Sequence, residues 1–187
     1  MVEVFGETTP GRVLDWGCGS GRTLYWLYGR PAWREAYRGC DVDAEAIRWL
    51  RKRQGVAAVS VCQPEPPLPY GDGEFAGLFA FSVLTHIPPD RHRAWYEELH
   101  RVLRPDGRAY LTVNGDSRAA DDKAFTPPEQ AAFARQGWLW ADREGHYKGA
   151  AVVGRRFTKA ALRGLFQIES YREAGYHQQD AMVLRRL

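Results

Sequence analysis

The 187-residue chain has no run of the ~18 apolar residues that a membrane-spanning helix needs. Its start, MVEVFGETTPGR, lacks the basic stretch and apolar core of a secretory leader. A cytoplasmic protein with no membrane partner is therefore expected. Cysteine is scarce: Cys18, Cys40 and Cys62 are odd in number and contain no C-x-x-C pair. That excludes a disulfide framework and a zinc site, and leaves reduced thiols. No cluster of His, Asp and Glu suggests any other metal. Charge of one sign is also lacking, since 26 Lys and Arg are interspersed with 23 Asp and Glu for a net charge of +3. A nucleic-acid binder concentrates positive charge on one face or tail. The densest basic group here, Arg48, Arg51, Lys52 and Arg53, reads as the solvated face of a helix. There is no internal repeat and no low-complexity tract.

What is present is the balance of a globular protein, 44% hydrophobic and 26% charged. Strand-length apolar runs alternate with helical patterns, which implies parallel strands joined by crossover helices. Arg12–Trp16 is expected as the first strand, followed by a helix over Thr23–Tyr28 that Gly29 and Pro31 close. Ala36–Asp41 reads as the second strand and Ala44–Gln54 as a helix stopped by Gly55. Val56–Cys62 makes a third strand. The proline-rich stretch from Gln63 to Phe75 admits neither a helix nor a central strand. Phe75–Phe81 is a fourth, almost wholly apolar strand, as suits a strand covered on both faces. A helix over Pro89–Leu103 and a fifth strand over Arg108–Val113 follow. The rhythm then breaks between Asn114 and Arg156. It resumes as a helix over Phe157–Leu165, with Thr158 near its cap, and two closing strands, Phe166–Glu173 and Asp180–Leu187, joined at Gly175–Gln179. The expected fold is α/β: a doubly wound, Rossmann-like sheet of seven strands, mostly parallel with an antiparallel last strand, and helices on both faces. Residues 1–187 are taken as a single domain with an insertion at about 114–156.

The sharpest signal follows the first strand, where Asp15 is succeeded by glycines at 17, 19 and 21. Glycines permit positive φ and let a ligand lie against bare backbone. The N–H groups and dipole at a helix start attract an anion. The dinucleotide fingerprint G-x-G-x-x-G needs glycine at position 22, which is Arg22, and the G-K-[ST] of a phosphate-binding P-loop is absent. Asp15 would repel a phosphate but suits a nearby ammonium group. A ligand with an amino acid end meets both demands. At the tip of the second strand, Asp41 is placed to accept hydrogen bonds from both hydroxyls of a ribose, whereas Asp43 suits capping of the next helix. An amino acid joined to a nucleoside describes S-adenosylmethionine.

At these residues the chain resembles the class I S-adenosylmethionine-dependent methyltransferases, in particular those with a small-molecule methyltransferase domain. The resemblance runs from about Arg12 to Val113 and resumes near Phe157. The family's glycine motif is matched by Asp15, Gly17, Gly19 and Gly21, and its acidic ribose ligand by Asp41. Its L-P-[FY]-x-D-x-x-F segment is matched by Leu68, Pro69, Tyr70, Asp72 and Phe75. Ser82, Val83, Leu84, His86 and Ile87 match its S-V-L-x-H-[IL] segment. Its L-R-P-G-G turn is matched by Leu103, Arg104, Pro105 and Gly107, with Asp106 in place of a glycine. The resemblance implies a methyltransferase using S-adenosyl-L-methionine, held by Asp15, Gly17, Cys18, Gly19, Gly21, Asp41, Val42, Gln63 and Ser82. Gln63 stands where the family often has Asp or Asn on the adenine amino group. The N-terminal helices with which the family commonly covers the substrate side are missing from the pattern.

His86 follows the fourth strand at the edge where ligands sit in open α/β sheets, so it is the candidate base, with packing beside the cofactor as its alternative role. Phe125, Phe133, Trp138, Trp140 and Tyr147 are expected to form a small satellite core and to wall the substrate side. His146, Tyr147, Lys148 and His177–Asp180 are secondary candidates for substrate contacts. The expected reaction moves a methyl group to an O or N atom of a small-molecule acceptor, most simply a sugar or secondary metabolite. A sensor or partner subunit that binds the cofactor without turnover is the alternative. An RNA methyltransferase is disfavoured, because S-V-L-T-H-I-P-P replaces the [DNS]-P-P-[YFW] of base methylation. The exposed share of the seven Trp residues allows a homodimer surface.

Overall fold

The computed structural model describes residues 2–6, 11–27, 29–56, 58–120, 125–142 and 149–187. In chain order the elements are α1 (Val2–Phe5), β1 (Val13–Trp16), α2 (Arg22–Leu27), α3 (Pro31–Ala36), β2 (Tyr37–Asp41), α4 (Ala44–Gln54), β3 (Val59–Val61) and β4 (Phe75–Ala80). There follow α5 (His92–Val102), β5 (Leu103–Val113), α6 (Asp116–Ala119), α7 (Pro127–Gln136), β6 (Trp138–Asp142), β7 (Gly149–Val153), α8 (Arg155–Leu162), β8 (Phe166–Tyr176) and β9 (Gln179–Arg186). Seven strands form one sheet in the order β3-β2-β1-β4-β5-β9-β8. Strands β1 to β5 run parallel, and β9 runs antiparallel to both of its neighbours.

Alternation along the strands supplies two apolar layers. Val13, Tyr37 and Phe79 face the layer built with Leu24, Leu27, Trp33, Ile47 and Leu50 of α2, α3 and α4. Leu14, Trp16, Cys40 and Leu78 face the layer built with Trp95, Leu99 and Val102 of α5 and Leu162 of α8. Helices thus cover both faces, as a largely parallel sheet requires.

Local signals explain most of the boundaries. Helix α4 spans the residues expected of it. The Asp43 carboxylate accepts from the Glu45 and Ala46 N–H groups at its start, and Gly55 (φ +65°) ends it in the left-handed region. Pro31, read as closing a helix, instead opens α3, because its missing N–H and fixed φ suit a first helical turn. The third strand is shorter than expected. Helix α8 begins two residues before Phe157, and Thr158 is buried within it instead of capping it.

The stretch after β5 is more ordered than its weak periodicity suggests. Strands β6 and β7 pair as an antiparallel hairpin, and α7 begins with a reciprocal cap between Thr126 and Glu129. Phe125, Leu139, Ala141 and Val152 form a separate small core with Ala119, against which Phe133 packs. Trp138 instead packs on the main core, Trp140 lies over Gly149, and Tyr147 is outside the described residues. The hairpin is tied back to the sheet where the Asn114 side-chain amide donates to the Ala151 carbonyl (3.0 Å).

Candidate active site

The carboxyl ends of β1, β2, β3 and β4 release their chains around one cavity of about 280 Å³. Each strand contributes the residues at which it stops: Trp16 and Gly17, then Asp41 and Val42, then Cys62, Gln63 and Pro64, then Phe81, Ser82 and Val83. His86 and Ile87 from the following turn and Trp95 of α5 complete the wall. Six of the residues singled out in the sequence therefore meet here: Gly17, Asp41, Val42, Gln63, Ser82 and His86. Asp15, Cys18, Gly19 and Gly21 build the loop beneath and beside the cavity without lining it.

The loop is shaped by what glycine omits. A Cβ at Gly17 would lie 2.3 Å from a methyl of Val83, and Gly17 has φ +78°. At Gly21 (φ +83°) a Cβ would come within 2.6 Å of Leu50. The loop N–H groups, expected to be open to an anion, are instead used within the fold. Those of Gly17 and Cys18 donate to the Cys40 carbonyl (2.8 and 3.0 Å), that of Gly21 to the Cys18 carbonyl (2.9 Å), and that of Gly19 to Asp41 Oδ2 (2.7 Å). Buried backbone donors seek partners, and the neighbouring strand end provides them first. At these four positions close approach to bare backbone, not amide donation, is what the loop offers a ligand.

Asp41 is nearly buried and also accepts from the Asp43 N–H (2.9 Å) through Oδ1. An ionised carboxylate has about four lone-pair sites, so capacity for two further donors remains. Asp15 lies deeper, where the Tyr37 hydroxyl donates to its Oδ2 (2.9 Å). Burial raises its pKa from 3.8 to about 7, the Tyr37 hydrogen bond opposing and the charge of Asp41 adding to the rise.

On the β4 side, every polar group of Ser82 except its hydroxyl proton is already engaged. Its N–H donates to Thr112 Oγ1 (2.9 Å), its carbonyl accepts from Thr85 Oγ1 (2.6 Å), and its Oγ accepts from Gln179 Nε2 (2.7 Å). Those contacts hold Ser82 at φ +59°, a region that non-glycine residues seldom occupy. His86 sits in a 3₁₀ turn, Leu84–His86, with Nδ1 3.3 Å from the Gly149 carbonyl of β7. The turn is clamped by buried His92, whose Nε2–H donates to the Leu84 and Ile87 carbonyls (3.1 and 2.9 Å). Burial depresses the pKa of His92, which keeps it neutral.

Sequence reasoning gave no site role to Trp16, Cys62, Trp95 and His92, and Val83 entered it only as part of a family segment. Trp16 and Cys62 are the residues next to Gly17 and Gln63, so position at a strand tip was the available signal. Trp95 and His92 lie on the core-facing stripe of α5, where spacing alone marks packing. Among the secondary candidates, Gln179 reaches the cavity wall through Ser82 and Gln178 accepts from Arg118 (3.0 Å). His146, Tyr147 and Lys148 lie outside the described residues.

A doubly wound sheet with a glycine loop at its first strand end, an acid at its second and a reversed β9 beside β5 defines a Rossmann-like fold with its cavity at the strand ends. The model of the methyltransferase domain family matches residues 13–107, just over half of the chain, and the chain belongs to that family. It is similar to a fatty-acid O-methyltransferase of Mycolicibacterium smegmatis, 33% identical over 99 residues, covering 51% of this chain and 34% of that protein. It is likewise similar to methyltransferase GfsG of Streptomyces halstedii, 33% identical over 112 residues, covering 56% and 39%. The chain thus spans less than half the length of these curated relatives. In fold it resembles an S-adenosylmethionine-dependent methyltransferase of Methanosarcina mazei (TM-score 0.73, 19% identity, 99% and 95% coverage). It also resembles a Burkholderia thailandensis 1,6-didemethyltoxoflavin N1-methyltransferase solved with S-adenosylhomocysteine (TM-score 0.64, 21% identity, 95% and 71% coverage). The chain thus carries a methyltransferase domain on a Rossmann-like fold. No helix among the described residues is long and apolar enough to cross a membrane.

Proposed function

We propose that the protein transfers the methyl group of S-adenosylmethionine to an oxygen or nitrogen atom of a small molecule, a sugar or secondary metabolite. The observation that carries this reading is the convergence of Gly17, Asp41 and His86 on one cavity. The residues present fit the cofactor. Gly17 leaves room that a side chain would fill, Asp41 has acceptor capacity for two hydroxyls, and the buried Trp95 indole N–H in the wall has no hydrogen-bond partner among the described residues. Asp41 would hold the ribose, Val42 and Gln63 the base, and the loop from Gly17 to Gly21 the amino acid end, with Asp15 beneath its ammonium group.

The bound sulfonium supplies an activated methyl group and a good leaving group. The chain's task is to hold the acceptor atom in line and exclude water, an alignment worth roughly 7–11 kcal/mol. Phe81, Ile87 and Trp95 keep the wall apolar, and Ser82 has its hydroxyl proton to donate to a lone pair of the acceptor. A carbonyl oxygen only accepts, so the Gly149 contact favours the His86 tautomer with its proton on Nδ1. In that tautomer the lone pair lies on Nε2, the atom that would receive the proton an alcohol or amine gives up.

Calorimetry with S-adenosylhomocysteine, followed by a turnover screen over hydroxyl- and amine-bearing acceptors, tests the reading. The His86→Ala variant is expected to lose about 10²–10⁴-fold in kcat with an unchanged Kd for the cofactor product. Equal rates in both proteins would reduce His86 to packing. Tight binding with no turnover of any acceptor would favour the sensor instead.

A further inference from the structure

We propose that Cys40 and Cys62 are a peroxide-sensitive thiol pair whose oxidation to a disulfide disables the cofactor cavity. The thiol chemistry stands by itself, and its effect on cofactor binding rests on the function proposed above. The three cysteines are 22 residues apart in each interval, yet two of them meet in space. Cys40 of β2 lies opposite Ser60 of β3, so Cys62, two residues beyond Ser60, projects from the same face. The Cys62 N–H donates to the Asp41 carbonyl (2.9 Å), which holds it beside the end of β2. Both side chains stand in the same apolar layer, close enough that each thiol is the leading influence on the acidity of the other. Cys18 is on the opposite face, in the other apolar layer and within 3.0 Å of where a Cβ on Gly39 would stand.

The pair is asymmetric. Cys62 lines the cavity, so a small oxidant reaches it through the cofactor's own entrance, whereas Cys40 is completely buried. The neighbouring Cys40 thiol holds the Cys62 thiol below its ordinary range, against the opposing pull of burial and of the Asp41 charge. The influence of Cys62, followed by burial, pushes Cys40 up. Reactivity follows thiolate character and access, and both favour Cys62 as the attacking sulfur.

The oxidant is a hydroperoxide. The Cys62 thiolate attacks its O–O bond; an S–O bond forms, the O–O bond breaks, and an alcohol (or water, from hydrogen peroxide) departs. Cys40 sulfur then attacks the sulfenic sulfur; the S–S bond forms, the S–O bond breaks, and water leaves with the Cys40 proton. Two thiols are oxidised and one peroxide is reduced. Neighbouring strands lie about 4.8 Å apart and rise about 3.3 Å per residue, so Cα atoms two positions out of register are about 8 Å apart. A disulfide usually needs Cα atoms within about 6.8 Å. Closing the bond therefore pulls Cys62 back along β2 and bends the end of β3, and the residues immediately after the two sulfurs are Asp41 and Gln63.

The test treats reduced protein with hydrogen peroxide, with and without S-adenosylhomocysteine, then counts alkylatable thiols, maps linked peptides and measures the affinity of the product by calorimetry. Two of the three free thiols are expected to disappear into a Cys40–Cys62 linked peptide. Affinity should fall at least about tenfold, dithiothreitol should restore both, and bound product should slow the reaction. In Cys40→Ser, Cys62 should accumulate as a sulfenic acid that dimedone captures. Three alkylatable thiols after peroxide, or a linkage through Cys18, would overturn the pair. A disulfide that leaves affinity unchanged would overturn the disabling of the cavity. Failure of the reduced protein to bind S-adenosylhomocysteine would sink the cofactor reading, while the linked peptide would still report on the thiols.

Discussion

The two flanks of the cavity are built on different plans. On the flank proposed for the cofactor, β1 and β2 end in residues that meet the cavity and β3 stops one residue before Cys62, so a cavity-lining side chain lies within two residues of each strand tip. On the flank proposed for the acceptor, contacts join distant stretches: Gln179 reaches Ser82 across 97 positions, and Gly149 reaches His86 across 63. The first flank is a property of local sequence, the second of tertiary assembly. A change on the first should alter ligand affinity with the fold intact, and a change in the insertion should alter stability with cofactor affinity intact.

Gly17→Val gives the largest separation. Its side chain collides with Val83 at a positive φ, so S-adenosylhomocysteine affinity should fall by more than about a hundredfold in calorimetry. Retained affinity would break the contrast. Leu139→Ala, in the separate core of the insertion, should cost about 2–4 kcal/mol in denaturant unfolding and leave cofactor affinity unchanged. A parallel loss of affinity would show the flanks to be coupled. Asp41→Asn keeps its shape but weakens the charged acceptor, and about a tenfold rise in Kd is expected by titration.

Asp15 provides the finest test. Its folded pKa of about 7 lies above the unfolded value near 3.8, so the folded chain holds this proton more tightly. Its contribution favours folding at low pH and is lost as pH rises from about 4 to about 7. A ligand ammonium above it favours the ionised form, so affinity should strengthen as pH rises through 7, with proton release measurable in buffers of different ionisation enthalpy. Asp15→Asn should flatten both profiles.

Legibility in the sequence follows the same division. The alternation of strands and helices, the glycine loop and the acid at Asp41 were readable because each depends on residues near one another. Even there the reading missed the fate of the loop amides, since the Cys40 carbonyl that takes two of them belongs to another strand. In the insertion the T-P-P-E of Thr126–Glu129 was a legible cap that weak periodicity obscured. The clamp that His92 places on the turn of His86 had no sequence signal, because a histidine on a core-facing stripe reads as packing. The pairing of Cys40 with Cys62 was hidden for a related reason, as register between strands is not written in either strand alone.

The reversed direction of β9 has a consequence for how the protein is made. Its first residue touches Ser82, so the β8–β9 hairpin completes a wall begun 97 positions earlier. During synthesis the end of the cavity proposed for the nucleoside, built from residues 13–63, can assemble while the rest is still emerging. The wall that includes Ser82 must wait for β9, so a chain stopped before Gln179 is expected to lose the contact that holds Ser82 in place as well as the strand itself.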